Sequence, residues 1–543
     1  MLAKKKSDLI ATARARPRTD ANMDGRSPTP LMNVAPPMHN HLAPPPPSFI
    51  FILMDDTGFN DIGYQQTNRT VPIRTPRIDA LASEGVKLSN YYVQPICTPT
   101  RAALMTGRYP FRYGVTGYTI DARAPWGIPT NETFLPQFFK DAGYTTAVYG
   151  KWHLGFFKSA VLPTSRGFDF QSGLYNAQGD HYEHTIDGGY DWHVDEKTQR
   201  SFRGQYSGNL VRDDAVAFLR NASHYPTTPF FLYVAFQEAH SPYQVDPKYR
   251  QLYPELDGQP QAQNLAGMVT HTDEMVGDIY DSLTETTWLN NTILVFSADN
   301  GGPGGQDGRS PRPSRFDPSH IERNGPFRGQ KHEIYEGGVR VAGFVHSHLL
   351  QRNGWHYAMM HVTDWLPTLV TASGVASLSS RPHLDLDGVD QWECLNGDES
   401  KCKRNEAVLN INTVCDHGTG PRGYSTECPA PKAGIRMGEL KLLAECYDQS
   451  SQTFAGKMLL YNLSADASEE RDLSALLPSE VHRLGSRLLT YAKEAAEIPP
   501  LGDKPPWQGD GYYCAECKVG KPVGKGKQAS WEPWCEGASG VAC

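Results

Sequence analysis

Ser48-Phe49-Ile50-Phe51-Ile52-Leu53-Met54, followed at once by Asp55-Asp56, is the stretch on which the fold turns. A strand with one face in water alternates polar and apolar residues. A strand covered on both faces reads as a continuous apolar run, and such runs belong to parallel sheets. Three more runs have the same character. Residues 145–149 end in Gly150-Lys151-Trp152-His153. Residues 229–236 end in Gln237-Glu238-Ala239-His240. Residues 292–297 lead to Asp299-Asn300-Gly301-Gly302. Helical patterns lie between or beside them at 75–85, 133–142, 208–221 and 268–289. Strands alternating with helices predict an α/β fold with a parallel or mixed sheet flanked by helices. Ligands of such sheets bind beyond the carboxyl ends of the strands. Here four strands deliver polar or ionisable residues to that one edge, which makes the edge a candidate active site.

Beyond about residue 378 the pattern changes. Short strand-like segments at 407–411, 434–437, 440–443 and 457–461 precede a helical segment at 478–494. They predict a smaller C-terminal α+β domain, an antiparallel sheet with a packed helix. The expected organisation is a Pro-rich disordered segment at 1–47, a catalytic domain at 48–378, the small domain at 379–498 and a cysteine-containing tail at 499–543.

The chain has 543 residues, of which 39% are hydrophobic and 21% charged, with a net charge of -8. That balance excludes a strongly basic nucleic-acid binder. No apolar run reaches the roughly 18 residues of a membrane-spanning helix. No apolar signal-peptide core follows Lys4-Lys5-Lys6. The remainder has a secretory character. N-x-S/T sequons occur at Asn68, Asn131, Asn221, Asn290 and Asn462, and nine of the ten cysteines lie after position 390. Clustered cysteines suggest disulfides and an oxidising compartment, so a secreted or lysosomal/endomembrane location is expected.

Asp55, Asp56, Asp299 and Asn300 are oxygen donors from two strand ends. An all-oxygen set suits a hard cation, Ca²⁺ or Mg²⁺, better than zinc. Lys151, His153, His240 and Lys331 add cationic or proton-transferring groups, as an ester that carries and develops negative charge requires. Asp180-His181-Tyr182-Glu183-His184 has the composition of a metal cluster but is read as a surface loop, with shaping of a substrate mouth as the alternative.

Between the first two strands lies Cys97-Thr98-Pro99-Thr100-Arg101, extended by Thr106-Gly107-Arg108. This C-x-P-x-R…T-G-R frame resembles the modification signature of the type I sulfatases. The order Asp-Asp, C-x-P-x-R, G-K-W-H-L-G, a strand-end His, D-N-G-G and R-G-x-K-x-x-x-x-E-G-G is similar to that of the arylsulfatases, most closely arylsulfatase B and its relatives. The likeness is strong over residues 48–375 and weaker through 433–443. It implies an alkaline-phosphatase-like mixed sheet flanked by helices. It also implies that Cys97 is oxidised to formylglycine by the formylglycine-generating enzyme. By the same resemblance Asp55, Asp56, Asp299, Asn300 and the modified Cys97 ligate one Ca²⁺, and Arg101 and Lys151 steady the formylglycine hydrate. His153 is then the base that breaks down the sulfated intermediate, while His240 and Lys331 bind the sulfate and serve the leaving oxygen.

The implied activity is calcium-dependent hydrolysis of sulfate esters on sulfated saccharides, such as 4-sulfated N-acetylgalactosamine of glycosaminoglycans, with aryl sulfates as surrogates. A phosphatase or phosphodiesterase of the same fold would carry Ser or Thr in place of Cys97. A silent glycan-binding relative would have lost the nucleophile or a metal ligand, and neither is lost here. Sugar choice is expected from loops at 125–130, 175–195 and 302–323, the last bearing Arg309, Arg312, Arg315, His320 and Arg323.

Overall fold

Strand β1 (Ser48–Met54) lies in the middle of the large sheet: it pairs in parallel on both sides and every one of its residues is buried. Side chains alternate across a strand. Phe49, Phe51 and Leu53 enter one core with Phe139, Phe231 and Trp365, and Ile50, Ile52 and Met54 enter a second with Leu210, Met268 and Phe296. Each such side chain contributes roughly 1.5–3 kcal/mol on burial, so a strand buried on both faces has no position free for a polar residue. The run therefore stays apolar until it leaves the sheet at Asp55.

The structure is a computed structural model that describes residues 45–67, 71–115, 119–304, 323–375, 378, 384–412, 431–445, 447–448, 450–498 and 529–533. After β1 come α1 (Pro76–Glu84), β2 (Val86–Tyr92), α2 (Cys97–Thr106), α3 (Leu135–Asp141), β3 (Thr145–Gly150), β4 (Phe170–Gly173), β5 (His193–Val194) and β6 (Lys197–Thr198). They are followed by α4 (Ser207–Ala222), β7 (Phe230–Ala235), α5 (Pro260–Thr284), β8 (Thr292–Ala298), α6 (Glu336–Val339), β9 (Gly343–His346), β10 (Gly354–His361) and α7 (Trp365–Ser373). The ten strands run β10-β2-β9-β8-β1-β7-β3-β4-β5-β6 across one mixed sheet. Its centre, β8-β1-β7-β3-β4, is parallel. Helices α4 and α5 cover one face, and α2, α3 and α7 cover the other.

The four strands read as apolar runs are therefore the central parallel strands, and their carboxyl ends share one edge. Three further strands carry no such run. β2 interleaves Lys87, Ser89 and Asn90 with its buried residues, β10 lies at the sheet edge with Tyr357 largely in solvent, and β9 has only four residues. Helix α5 begins at Pro260, earlier than its apolar periodicity, because proline's fixed φ suits a first helical turn.

The C-terminal sheet is antiparallel in the order β11 (Glu406–Asn410), β12 (Ala433–Met437), β13 (Leu440–Ala444), β14 (Leu459–Asn462). Helix α8 (Pro478–Ala496) lays Leu484, Leu488 and Ala492 on Ile435 and Leu442, and Tyr109 and Phe111 join the same core from the region just after α2. Both sheets lie within one compact unit, His39–Cys543. Cys394 and Cys402 form a disulfide. Cys415, Cys428, Cys446, Cys514, Cys517, Cys535 and Cys543 fall outside the described residues. No helix among the described residues is long and apolar enough to cross a membrane.

Candidate active site

Helix α2 brings the cysteine of the C-x-P-x-R frame to the strand ends. Cys97 is its first residue and Arg101 lies one turn later, and all ten residues of the helix are buried. The helix ends at Gly107, whose φ of 67° is left-handed and whose N–H donates to the Ala103 carbonyl at 2.9 Å. A glycine takes that conformation without a Cβ clash, which gives the T-G-R extension a physical meaning. None of the helical patterns in the sequence covers these residues. The helix was missed because Thr98, Thr100 and Arg101 interrupt any apolar stripe, and burial on all sides removes the periodicity that marks a surface helix.

At the end of β1, Asp55 Oδ1 lies 3.6 Å from Cys97 Sγ, and Asp55 Oδ2 pairs with Lys151 Nζ just after β3. Arg101 donates from Nε and Nη2 to Asp299 Oδ2 at 3.1 and 2.9 Å, and from Nη1 to the Lys151 carbonyl at 3.1 Å. Asp299, after β8, accepts the Asp56 N–H on Oδ1 at 3.1 Å. Asn300 Nδ2 donates to Asp56 Oδ1 at 2.8 Å. Lys331 Nζ sits 2.7 Å from Asp56 Oδ1 and 3.1 Å from His240 Nε2. The next glycine, Gly301, packs so closely on the Lys331 loop that a Cβ there would stand 1.8 Å from the Gly337 carbonyl oxygen. Every sequence-derived site residue is thus in one buried cluster: Cys97, Arg101, Lys151, His153, His240, Lys331, Asp55, Asp56, Asp299 and Asn300.

Two imidazoles have their protons placed by backbone carbonyls. His153 Nε2 lies 3.0 Å from the Ile120 carbonyl oxygen, so Nε2 carries the proton and the buried, unpartnered Nδ1 carries the lone pair. Burial, reinforced by Lys151 and Arg101, holds His153 well below the ordinary imidazole range. His240 Nδ1 donates to the Ser241 carbonyl at 2.7 Å, which turns the Nε2 lone pair toward Lys331. Burial lowers His240 to about 3, with Asp56 opposing and Lys331 assisting. Burial pushes the Asp56 carboxyl up, but Lys331 and His240 outweigh it and hold the group below the usual carboxylate range. Asp299 moves the other way, raised by burial and by Asp55 against the pull of Arg101. The Cys97 thiol is pushed up to about 12 by burial, so as a thiol it is protonated and a weak nucleophile. Asp56 and His153 both sit at left-handed φ, 52° and 57°, a conformation that side-chain-bearing residues hold where the surroundings force it.

Asp55, Asp56, Cys97 and His240 each offer a ligand atom, all within 4.8 Å of one another, the one such metal-compatible group among the described residues. His240 belongs to this group although the resemblance gave it another task. Asp299 and Asn300 flank it, and the buried Asn300 Oδ1 has no hydrogen-bond partner. A buried carbonyl oxygen with nothing to accept from, beside three carboxylates, fits an oxygen-ligated cation.

Two loop expectations change. Asp180–His184 reaches the surface at Glu183 but buries its two histidines: His181 Nδ1 lies 2.8 Å from Ser207 Oγ, and His184 Nε2 donates to the Phe202 carbonyl at 3.0 Å. Arg323 is buried, donating from Nε to Asp61 Oδ2 at 2.8 Å and from Nη2 to the Asp56 carbonyl, so it braces the acid loop from within. Arg309, Arg312, Arg315 and His320 lie outside the described residues. Sequence reading missed the Ile120 carbonyl and Thr98, whose Oγ donates to the His153 carbonyl at 3.1 Å. A backbone acceptor leaves no mark in a sequence, and Thr98 stood unremarked inside the C-x-P-x-R frame.

The family model Sulfatase matches residues 47–375. Arylsulfatase J of Mus musculus is 34% identical over 487 residues, which are 84% of this chain and 77% of that protein. N-acetylgalactosamine-6-sulfatase of Rattus norvegicus is 30% identical over 371 residues, 64% of this chain and 65% of that protein. Among solved structures, Ps i-CgsB in complex with k-i-k-neocarrahexaose superposes with a TM-score of 0.69 at 24% identity, covering 84% of this chain and 95% of the other.

Proposed function

The chain belongs to the sulfatase family of sulfuric ester hydrolases, and from that premise we propose that it removes sulfate from sulfated sugars using a formylglycine made from Cys97 and one bound Ca²⁺. The observation that carries the proposal is the convergence of Cys97 with Asp55, Asp56, Asp299, Asn300 and three cations at one edge of the sheet. A hydrated aldehyde at position 97 supplies an oxygen nucleophile, and a divalent cation held by Asp55, Asp56, Asp299 and Asn300 Oδ1 draws charge from a sulfate oxygen. The orphaned Asn300 oxygen supports that ligand set.

The chain's own groups then have separable tasks. Lys331 and His240 Nε2 face the least buried part of the cluster and bind the anionic ester, with Lys331 a donor to the leaving oxygen. Arg101 and Lys151, fully buried, fix the orientation of Asp299 and Asp55 beside position 97. His153 accepts a proton at Nδ1, the atom left open by its bond to Ile120. Because all of α2 is buried, the modifying enzyme must meet Cys97 before the helix is packed.

Sugar specificity is supported by the names of the relatives, N-acetylgalactosamine-6-sulfatase among them, and a 4-sulfated N-acetylgalactosamine remains the substrate proposed from the sequence. A secreted or lysosomal setting is supported by the Cys394–Cys402 disulfide and by the exposed sequon residues Asn131 and Asn290. The test is the mass of the peptide spanning residues 91–108, together with turnover of defined 4-, 6- and N-sulfated saccharides beside an aryl sulfate. An aldehyde at position 97 and release of sulfate from one of the saccharides is the expected result. An unmodified thiol in active protein would overturn the proposal, and turnover of the aryl sulfate alone would overturn its substrate.

A further inference from the structure

Residues 529–533 lie far outside the matched family region, yet they are built into the catalytic side of the molecule. The Tyr190 N–H donates to the Ala529 carbonyl and the Trp531 N–H to the Tyr190 carbonyl, both at 2.9 Å, so the segment adds a parallel bridge beside Tyr190. Trp531 Nε1 donates to the Ile186 carbonyl at 2.8 Å, and Thr198 Oγ to Glu532 Oε1 at 3.0 Å. The Trp531 ring is fully buried, in the core that packs one face of the large sheet. Its edge meets Phe156, with centroids 6.0 Å apart at 87°, and Phe156 stacks on Tyr175 at 5.8 Å. The Tyr175 carbonyl in turn accepts the His153 N–H at 3.0 Å. Tyr175 is held from its other side by His193, stacked at 4.0 Å, and by Asp191, whose Oδ1 accepts the Tyr175 N–H at 3.1 Å.

His153 is the end of this chain of contacts, and it sits at φ 57°. A residue with a side chain keeps that conformation only where its neighbours over-determine it. In the turn after β3 the Trp152 N–H donates to the Leu174 carbonyl and the His153 N–H to the Tyr175 carbonyl, and Phe156, two residues beyond the turn's Leu154, stacks on Tyr175. Trp531 is the large side chain seated on Phe156 from the C-terminal segment.

We propose that residues 529–532 are a strap whose Trp531 positions the His153 turn, making the C-terminal segment a part of the catalytic apparatus. The inference rests on the reading of His153 as the proton acceptor. Trp531 touches no reacting atom and is a positioning residue.

The test is a double-mutant cycle in the full-length protein with a small aryl sulfate as substrate. Trp531→Ala should lower kcat roughly tenfold or more, as expected when a catalytic group is displaced by a fraction of an ångström to an ångström, with KM little changed. Trp531→Phe, which keeps a ring on Phe156, should restore most of that loss. In a His153→Ala background, Trp531→Ala should cost nothing further in kcat, because the group it positions is gone. Wild-type kcat in Trp531→Ala, or a loss that adds fully to that of His153→Ala, overturns the strap while leaving His153 as the base. Full turnover by His153→Ala overturns both. If Trp531→Ala does not fold, hydrogen exchange in Trp531→Leu, which removes the ring but fills more of its space, reads the same coupling: the His153 amide should exchange faster while the amides of β1 do not, and unchanged His153 exchange overturns the proposal.

Discussion

The edge of the large sheet and the seam with the C-terminal sheet both bury a knot of charge, and they differ in what the knot leaves open. At the seam, Lys441 Nζ lies 2.8 Å from Glu336 Oε1 and 2.9 Å from Glu469 Oε1. Tyr92 donates to Glu336 Oε2 at 2.7 Å, and Arg340 lies 3.2 Å from the same oxygen. Lys441, Glu336 and Glu469 are all sealed from solvent. At the sheet edge, His240 retains 7% of its exposure and Lys331 9% of its side-chain exposure, and Asn300 Oδ1 and His153 Nδ1 are buried without partners. Shifted ionisation does not tell the two apart. Glu336, which burial pushes up, is drawn lower by Lys441 and Arg340, and Glu469 is raised by burial and by Glu336, as Asp56 and Asp299 are moved in opposite directions at the edge. Perturbed carboxylates occur wherever charge is buried. What distinguishes the edge is the partial exposure of His240 and Lys331 and two buried polar atoms that the protein itself leaves unpaired.

The contrast can be broken by experiment. Cys97→Ala should remove turnover by on the order of 10⁴-fold or more while the melting temperature stays within a few degrees, since one small buried side chain is replaced by another. Undiminished hydrolysis of an aryl sulfate by the purified variant would refute the role of the edge. Chelation should abolish activity and added Ca²⁺ restore it, and Asp299→Ala should lose both metal, by elemental analysis, and activity. A chelated, metal-free protein with full activity would show that the open oxygens hold no ion.

Lys441→Met should do the reverse of Cys97→Ala. It strands Glu336 and Glu469 without their shared ammonium and should cost about 3–5 kcal/mol in denaturant unfolding, while kcat of the folded fraction holds. A loss of kcat without loss of stability would show that the seam is catalytic after all.

The smallest effect concerns a buried acid outside both clusters, with a different set of partners. Asp273 accepts the N–H groups of Arg77 and Ile78 at the start of α1, and burial pushes its pKa from 3.8 to about 7 against those two bonds. The unfolded chain releases this proton as pH passes 3.8, whereas the folded chain keeps it until about 7. The stability it contributes is therefore full below the lower value and falls as pH rises to the upper one. Melting temperature measured from pH 4 to pH 7 should decline by a few degrees from this group, and Asp273→Asn should flatten that slope. An unchanged slope in the variant would assign the pH dependence elsewhere.

Most of the site was legible in the sequence because of where its residues stand. A strand buried on both faces has to be apolar along its length, so β1, β3, β7 and β8 announced themselves, and the cluster of polar residues within a few positions of each end marked the edge of the sheet. Asp55, Lys151, His240 and Asp299 were found by that rule before any likeness was considered, and the C-x-P-x-R frame added Cys97 and Arg101. Strand β2, the edge strand β10 and the helix α2 escaped it. The strands mix polar with apolar residues because one side is less covered, and the helix is covered on every side. Its arginine and threonines are satisfied by partners far away in sequence, such as Asp299 and the His153 carbonyl.

What the chain determined alone was the four central strands and the residue types delivered to their ends, since local hydrophobic pattern reports burial whatever the partner. The tertiary structure alone decided which nitrogen of His153 is left with its lone pair open, that Arg323 is buried against Asp61 and the Asp56 carbonyl, that Lys441 pairs with Glu336 and Glu469, and that Trp531 returns to sit on Phe156. Each of these depends on a contact between residues distant in sequence. A backbone carbonyl, a buried guanidinium or a tryptophan has the same letter wherever the fold carries it.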